Sequence, residues 1–297
     1  PPAPAAPCIF AGAEDHCVMK KACVIGWPIE HSRSPLIHNY WLKKHGINAI
    51  YEKKAVEPEN VARFIAGLAL SEFVGCNVTI PHKESAFQAV AETDKIARRL
   101  GAVNTVYVRN GKVCGTNTDG EGFIASLRQQ HPDVSLQGNT ATVIGAGGAA
   151  KAIIGALIDE GVTRIGIINR TRERILGLQE QFGSQIIEIN ETAAEQALAT
   201  SDLLVNTTSL GMEGGTALAL DMRYLKPGAL VADIIYAPLE TALLTKAKER
   251  GHPVLGGLRM LLHQAVRGFE LWFGVKPEVT KELYDLVAAD VQKAKRT

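Results

Sequence analysis

Residues 140–174 read TATVIGAGGAAKAIIGALIDEGVTRIGIINRTRER, and this stretch decides the fold. An apolar, β-branched strand from Thr140 to Ile144 runs into Gly145, Ala146, Gly147 and Gly148. A helical pattern follows from Ala149 to Glu160 and stops at Gly161, and a second strand leads from Arg164 to Asn169. Strand, glycine-rich turn, helix and strand make one βαβ unit of the dinucleotide-binding type. Gly145 allows the tight turn, Gly147 lets backbone approach a pyrophosphate, and Ala150 is the small residue that permits close helix–strand packing. The helix start offers free N–H groups and the positive end of a dipole to phosphates. NAD-binding versions end the second strand in Asp or Glu, which holds the ribose 2′-hydroxyl. Here Asn169, Arg170 and Thr171 stand there, with Arg172 and Arg174 behind, so the site suits the 2′-phosphate of NADP.

At 297 residues the chain has the length of about two domains. A formal net charge of +1 gives no basic footprint for nucleic acid, and a small soluble substrate fits better. No apolar run approaches the ~20 residues of a membrane span. Residues 1–18 lack the basic and apolar regions of a signal peptide and read as a disordered leader, with Met19 a natural start. Five cysteines without a C-x-x-C pair argue against a disulfide framework or zinc cage, and a reducing cytoplasm is the simplest compartment.

The chain before Thr140 alternates again. Strands are expected at 22–25, 49–54 and 75–79, and helices at 34–45, 57–68 and 81–91. This is a second α/β unit without a phosphate loop. Residues 114–123 read as the passage into the cofactor unit and Gly256-Gly257 as the way out. The last helices, 258–273 and 278–293, are therefore expected to return to the first unit, leaving a cleft between two lobes, where ligands usually bind.

Several polar motifs exceed what the fold needs. In GWPIEHSRSPLIHN, residues 26–39, Ser34 is expected as the N-cap with Pro35 at the first helical position. Ser32 is surplus to that, and two hydroxyls beside a helix start make a carboxylate cradle. In GCNVTIPHKE, residues 75–84, a strand breaks into a helix whose first turn carries Pro81 and Lys83. A lysine there opposes the helix dipole, so another interaction must compensate. Asp119 lies at the passage between lobes, where a carboxylate can reach a cleft, although Asp-Gly is also a common turn pair. Asn104 is expected within a short apolar strand at 100–106, where an amide must find partners. NTTSLGM, residues 206–212, ends an apolar strand at the edge where a nicotinamide would lie. His31, His38, His82 and His263 show no metal-ligand spacing and read as hydrogen-bonding residues, so no metal is expected.

Taken in order, PIEHSRSPLIHN, NVTIPHK, GAVNTV, GTNTDGEGF, GAGGAAKAI, NRTRER, NTTSLGM, DIIYAPLETALL and GGLRMLLHQA resemble the shikimate dehydrogenase family from Cys23 almost to the C-terminus. The resemblance implies a reversible NADP-dependent reduction of 3-dehydroshikimate to shikimate on the route to aromatic amino acids. It implies an α/β fold of two domains: a substrate-binding domain from residues 19–118 with 258–297, and an inserted Rossmann-type NADP-binding domain, 119–257. Lys83 and Asp119 match the catalytic pair. Ser32 and Ser34 match the carboxylate-binding serines, and Thr79, Asn104, Tyr236 and Gln264 match the residues around the substrate ring. Gly145, Ala146, Gly147, Gly148 and Ala149 match the pyrophosphate loop. Asn169, Arg170, Thr171 and Arg174 match the 2′-phosphate clamp, and Ile234 and Gly257 the nicotinamide side. A monomer or homodimer is expected. Trp27 departs from the small polar residue often found there, which places a different entrance beside the serines. A quinate/shikimate dehydrogenase with wider substrate and NAD use is the nearest alternative, and a redox-sensing NADP-binding module without turnover is another.

Overall fold

The computed structural model describes residues 19–294 apart from 217 and 219; the expected leader, 1–18, lies outside that range. The first half comprises β1 (Lys20–Gly26), α1 (Ser34–Lys44), β2 (Ala49–Ala55), α2 (Val61–Ala66), β3 (Phe73–Val78), α3 (Lys83–Ala89), β4 (Glu92–Thr93), α4 (Lys95–Leu100), β5 (Thr105–Arg109), β6 (Lys112–Thr116) and α5 (Asp119–Gln130). The second half comprises β7 (Thr140–Ile144), α6 (Gly148–Asp159), β8 (Arg164–Ile168), α7 (Arg172–Phe182), β9 (Ile186–Glu188), α8 (Ala194–Thr200), β10 (Leu203–Asn206), β11 (Leu230–Asp233), α9 (Ala242–Glu249) and β12 (Val254–Gly256). Two helices close the chain, α10 (Gly257–Phe273) and α11 (Lys281–Ala294).

The strands form two six-stranded sheets, ordered β2-β1-β3-β5-β6-β4 and β12-β11-β10-β7-β8-β9. The second sheet is parallel throughout and has the doubly wound order whose switch point falls between β7 and β10. Its strands are apolar on both faces, as a sheet covered by helices on both sides requires. Val143, Val205 and Ala232 face one core, while Ile144, Leu204 and Val231 face the other. The first sheet is mixed: β1 runs parallel to β2 and β3, whereas β5 is antiparallel to β3 and β6.

Leaving β12, α10 crosses to the first sheet. Leu258, Leu262, Ala265, Phe269 and Trp272 pack with Ala22 and Val24 of β1, and Trp272 Nε1 donates to the Val106 carbonyl at 2.9 Å. Between the lobes stands α5. A Cβ on Gly120 would sit 2.6 Å from the Ala152 carbonyl of α6, and one on Gly122 would sit 2.6 Å from Gln264 of α10. Glycine therefore lets α5 touch both neighbours at backbone distance.

Several local expectations need correction. Residues 100–106 are not a strand: Asp94 caps α4 by accepting from the Ala97 N–H at 2.8 Å, and Gly101, at φ 63°, ends that helix. β5 starts at Thr105, so Asn104 sits just before it. Ser34 is not the N-cap but the first helical residue; Arg33 holds the cap position, and the Ser34 N–H donates to the Ser32 hydroxyl at 3.3 Å. Pro81 precedes α3 rather than lying in it. The expected helix at 57–68 is a 3₁₀ turn at Pro58–Asn60 followed by the short α2.

Candidate active site

The break after β3 places Lys83 at the first position of α3, and the passage after β6 places Asp119 at the first position of α5. The Lys83 ammonium and Asp119 Oδ2 form an ion pair, with side chains 20% and 10% exposed. That contact compensates a lysine set against its own helix dipole. Asp119 Oδ1 accepts from Asn104 Nδ2 at 2.8 Å, and Asn104 Oδ1 accepts from the Thr118 N–H at 2.9 Å. Thr118 donates its hydroxyl to the Gln264 carbonyl at 2.8 Å, which ties the start of α5 to α10. Hydrogen bonds to a buried carboxylate are among the stronger ones, so the pair is held in place from several elements.

A cavity of about 440 Å³ opens beside this pair. Lys83, Asp119, Ser32, Ser34, Thr79, Asn104, Tyr236 and Gln264 all line it. The fold thus gathers into one cleft the residues expected to form the catalytic pair and to surround the substrate, whereas Gly145 to Gly148, Asn169, Arg170, Thr171 and Arg174 do not line it. Ala149, Ile234 and Gly257 reach the same cavity from the second lobe. Burial pushes the Tyr236 phenol up, so its hydroxyl stays protonated and able to donate. Gln264 Nε2 donates to the Leu261 carbonyl at 3.0 Å, leaving its oxygen for a ligand. Trp27, 45% exposed, lines a separate hollow with Lys54 and Arg63 and does not border the main cavity.

The glycine-rich loop lies at the carboxyl end of β7. Gly145 has φ 108°, and a Cβ there would meet Thr207 Oγ1 at 2.6 Å, so only glycine fits. Side chains at Gly147 and Gly148 would meet nothing within 4 Å, and no side chain caps α6. No side chain takes the backbone N–H groups of that helix start, which leaves them for an anion. At the tip of β8, Asn169 Nδ2 donates to the Thr171 carbonyl at 2.8 Å and fixes the turn. Arg172 pairs with Glu188 at 3.1 Å. Among the described residues, Arg170 and Arg174 are exposed and pair with no carboxylate, which leaves both guanidinium groups for a phosphate.

Sequence reasoning missed other lining residues, including Asn77, Met212, Met260 and Leu261. Asn77 was detectable by the argument used for Asn104, an amide in an otherwise apolar strand. Met212 lay in the NTTSLGM loop and Met260 and Leu261 in GGLRMLLHQA, motifs that were noted without singling out these apolar side chains. The reading of His38 as a hydrogen-bonding residue is also corrected. It is fully buried, stacked on Tyr51 with ring centroids 4.1 Å apart, and neither ring nitrogen has a partner. Burial lowers its pKa to about 3 and keeps it neutral.

Comparison with known proteins bears on this geometry. Residues 24–106 match the family model for the shikimate dehydrogenase substrate binding domain, and 126–212 that for shikimate / quinate 5-dehydrogenase. Residues 257–281 match the shikimate 5′-dehydrogenase C-terminal domain. The shikimate dehydrogenase (NADP(+)) of Nitrobacter hamburgensis is 50% identical over 273 residues, covering 92% of this chain and 95% of its own. That of Methylocella silvestris is 50% identical over 274 residues, covering 92% and 98%. Among solved structures, shikimate 5-dehydrogenase from Thermus thermophilus in complex with NADP(H) and shikimate superposes with a TM-score of 0.80 at 33% identity, over 93% of this chain and 100% of that one. Quinate dehydrogenase from Corynebacterium glutamicum in complex with NAD gives 0.82 at 28% identity, over 91% and 99%.

Proposed function

The chain belongs to the shikimate dehydrogenase family, and from that premise we propose that Lys83 and Asp119 are the proton-transferring pair of its active site. It is an NADP-dependent oxidoreductase acting on a CH–OH group, and it interconverts 3-dehydroshikimate and shikimate. One observation carries the assignment of residues: the Lys83–Asp119 ion pair lies in a cavity that also gathers two serine hydroxyls and, from the cofactor lobe, Ala149, Met212, Ile234, Tyr236 and Gly257.

Each role follows from what the side chain offers. Ser32 and Ser34 present hydroxyls to the substrate carboxylate, beside the start of α1. Thr79, Asn104, Tyr236 and Gln264 hydrogen-bond the ring hydroxyls. Gly145 to Ala149 and the start of α6 hold the pyrophosphate of NADP, and Asn169, Arg170, Thr171 and Arg174 hold the 2′-phosphate. Ile234 and Gly257 flank the nicotinamide side. When bound, NADPH supplies the hydride that reduces the C3 carbonyl. Lys83 Nζ gives a proton to the C3 oxygen as its charge develops and takes one back in the reverse direction. Asp119 holds the ammonium toward the cavity. Enclosure between two lobes fixes the reactants and excludes water.

The division into a substrate domain, 19–118 with 258–297, and a cofactor domain, 119–257, is our assignment. The return of α10 to the first sheet supports it. Among the described residues no helix is long and apolar enough to cross a membrane. We place the enzyme in the cytoplasm, a location supported by the free thiols of Cys23, Cys76 and Cys114.

The test is the initial rate of NADP⁺ and NAD⁺ reduction with shikimate and, separately, with quinate. Turnover confined to shikimate with NADP⁺ is expected. Comparable kcat/KM for quinate with NAD⁺ would move the protein to the wider specificity of a quinate/shikimate dehydrogenase.

A further inference from the structure

Behind Asn104, which holds Asp119, runs a chain of buried polar side chains, Thr105, Asn77 and Tyr51, to which the steps above give no role. The Tyr51 hydroxyl donates to Asn77 Oδ1 at 2.6 Å, and Asn77 Nδ2 donates to Thr105 Oγ1 at 3.2 Å. Thr105 donates to Asn104 Oδ1 at 3.0 Å, and Asn104 Nδ2 donates to Asp119 Oδ1 at 2.8 Å. Tyr51, Asn77, Asn104 and Thr105 are all buried, Thr105 completely. Polar groups in such a core cost free energy unless paired, so their pairing here needs a use.

The direction of the bonds supplies one. An ionised carboxylate only accepts, so Asn104 must present its nitrogen to Asp119 and its oxygen to donors. The Thr118 N–H at 2.9 Å and the Thr105 hydroxyl meet that oxygen; the Thr118 hydroxyl also lies 3.2 Å from it, but its one proton has the closer Gln264 carbonyl at 2.8 Å. A hydroxyl has one proton, and Thr105 directs it at Asn104 while the Asn77 N–H fills its acceptor side. Asn77 can offer that N–H because its oxygen is turned to Tyr51. Burial pushes the Tyr51 phenol up, so it remains a donor. Every bond therefore points its proton toward Asp119, and the carboxylate oxygen left over is the one that meets Lys83.

We propose that Thr105, its hydroxyl directed by Asn77, is a positioning residue for proton transfer, acting through Asn104 to fix the orientation of Asp119 and hence of the Lys83 ammonium. The proposal rests on Lys83 and Asp119 being the reacting pair. Thr105 matches neither the substrate-binding nor the cofactor-binding positions, and it does not line the cavity.

The test is a set of variants assayed by steady-state kinetics with shikimate and NADP⁺, each first shown to unfold cooperatively. Thr105→Val keeps the volume and removes the proton; kcat should fall about 10-fold, the worth of one buried hydrogen bond, with KM for NADP⁺ unchanged. Thr105→Ser should restore kcat to within about threefold of wild type, since it returns the hydroxyl. In an Asn104→Ala background, Thr105→Val should change kcat less than about twofold, because its route to Asp119 is already cut. Equal losses from Thr105→Val in both backgrounds, or a serine variant as slow as the valine, would overturn the proposal. A wild-type enzyme that turns over normally alongside an unimpaired Thr105→Val sinks the positioning role alone. A wild type without shikimate turnover sinks the functional reading and this role together.

Discussion

Asp119 has one oxygen on the Asn104 amide and the other on the Lys83 ammonium, inside a shell of side chains that bond one another. The end proposed to bind phosphate is arranged in the opposite way: a Cβ on Gly147 or Gly148 would meet nothing within 4 Å, and the Arg170 and Arg174 guanidinium groups stand exposed and unpaired among the described residues. The Lys83–Asp119 end carries its own compensating dipoles, so in the proposed role its charges are aimed before substrate arrives, which is how fixed dipoles favour a developing charge. The phosphate end leaves its donors to the ligand, because an anion brings the compensating charge with it. Changes at the first end should therefore remove chemistry, and changes at the second should alter which cofactor is used.

Lys83→Ala is the largest test of that contrast. It should lower kcat by ~10²–10⁴ while leaving the affinity for NADPH, measured by fluorescence titration, within about threefold. A variant that loses cofactor binding as steeply as turnover would erase the distinction between the two ends.

Arg170→Asp comes next. Losing a charge-assisted hydrogen bond and adding a like charge should raise KM for NADP⁺ about 10–100-fold with little change for NAD⁺. Parallel losses with both cofactors would remove Arg170 from the 2′-phosphate site.

Asp233 tests whether the second lobe also holds a charge fixed in advance of any ligand. It is buried at the end of β11 and accepts from Thr241 at 2.7 Å and from Ile235 and Asn206 at 3.1 Å. Burial nevertheless raises its carboxyl to about 6. A carboxyl raised in the folded state stabilises the fold below its unfolded value, ~3.9, and loses that contribution as pH climbs through the folded value. Denaturant titrations should thus show stability falling by on the order of 1–3 kcal/mol between about pH 4 and 7, and Asp233→Asn should flatten the slope. An unchanged slope would assign the pH dependence elsewhere.

The smallest effect is expected where the lobes meet outside the cleft. Arg99 of α4 donates to both oxygens of Asp159 of α6, at 2.8 and 2.7 Å, with side chains 34% and 56% exposed. Solvent screens such a pair, so Arg99→Ala should cost less than ~1 kcal/mol by thermal unfolding and leave kcat unchanged. A larger loss would mean that this contact sets the register of the two lobes.

The glycine loop, its helix and the arginine tip were legible because their signals are local: a strand, a turn that only glycine permits and a helix start follow one another within residues 140–174. The polar motifs of the substrate lobe were legible one at a time, and the resemblance to a family joined them. The misreadings have local causes too. LGAVNTV looked like one strand because it is short, apolar and β-branched, but the helix that Asp94 starts ends there, at Leu100 with Gly101 as its cap. Ser34 looked like a cap because serine before proline usually is one, yet the hydroxyl that takes the exposed N–H belongs to Ser32.

By itself the sequence determined the doubly wound cofactor unit, its preference for NADP and the identity of the side chains with surplus polarity, because those depend on backbone preference and on residue chemistry. Only the tertiary structure decided who meets whom. Lys83 reaches Asp119 across 36 positions, and Tyr51 reaches Asn77 across 26, because strand register in the first sheet and the placing of α5 bring them together. It also decided that His38 is a neutral ring in an apolar stack rather than a hydrogen-bonding residue. Hydrogen bonds act over about 3 Å, and no pattern along the chain encodes which distant donor will arrive within that distance.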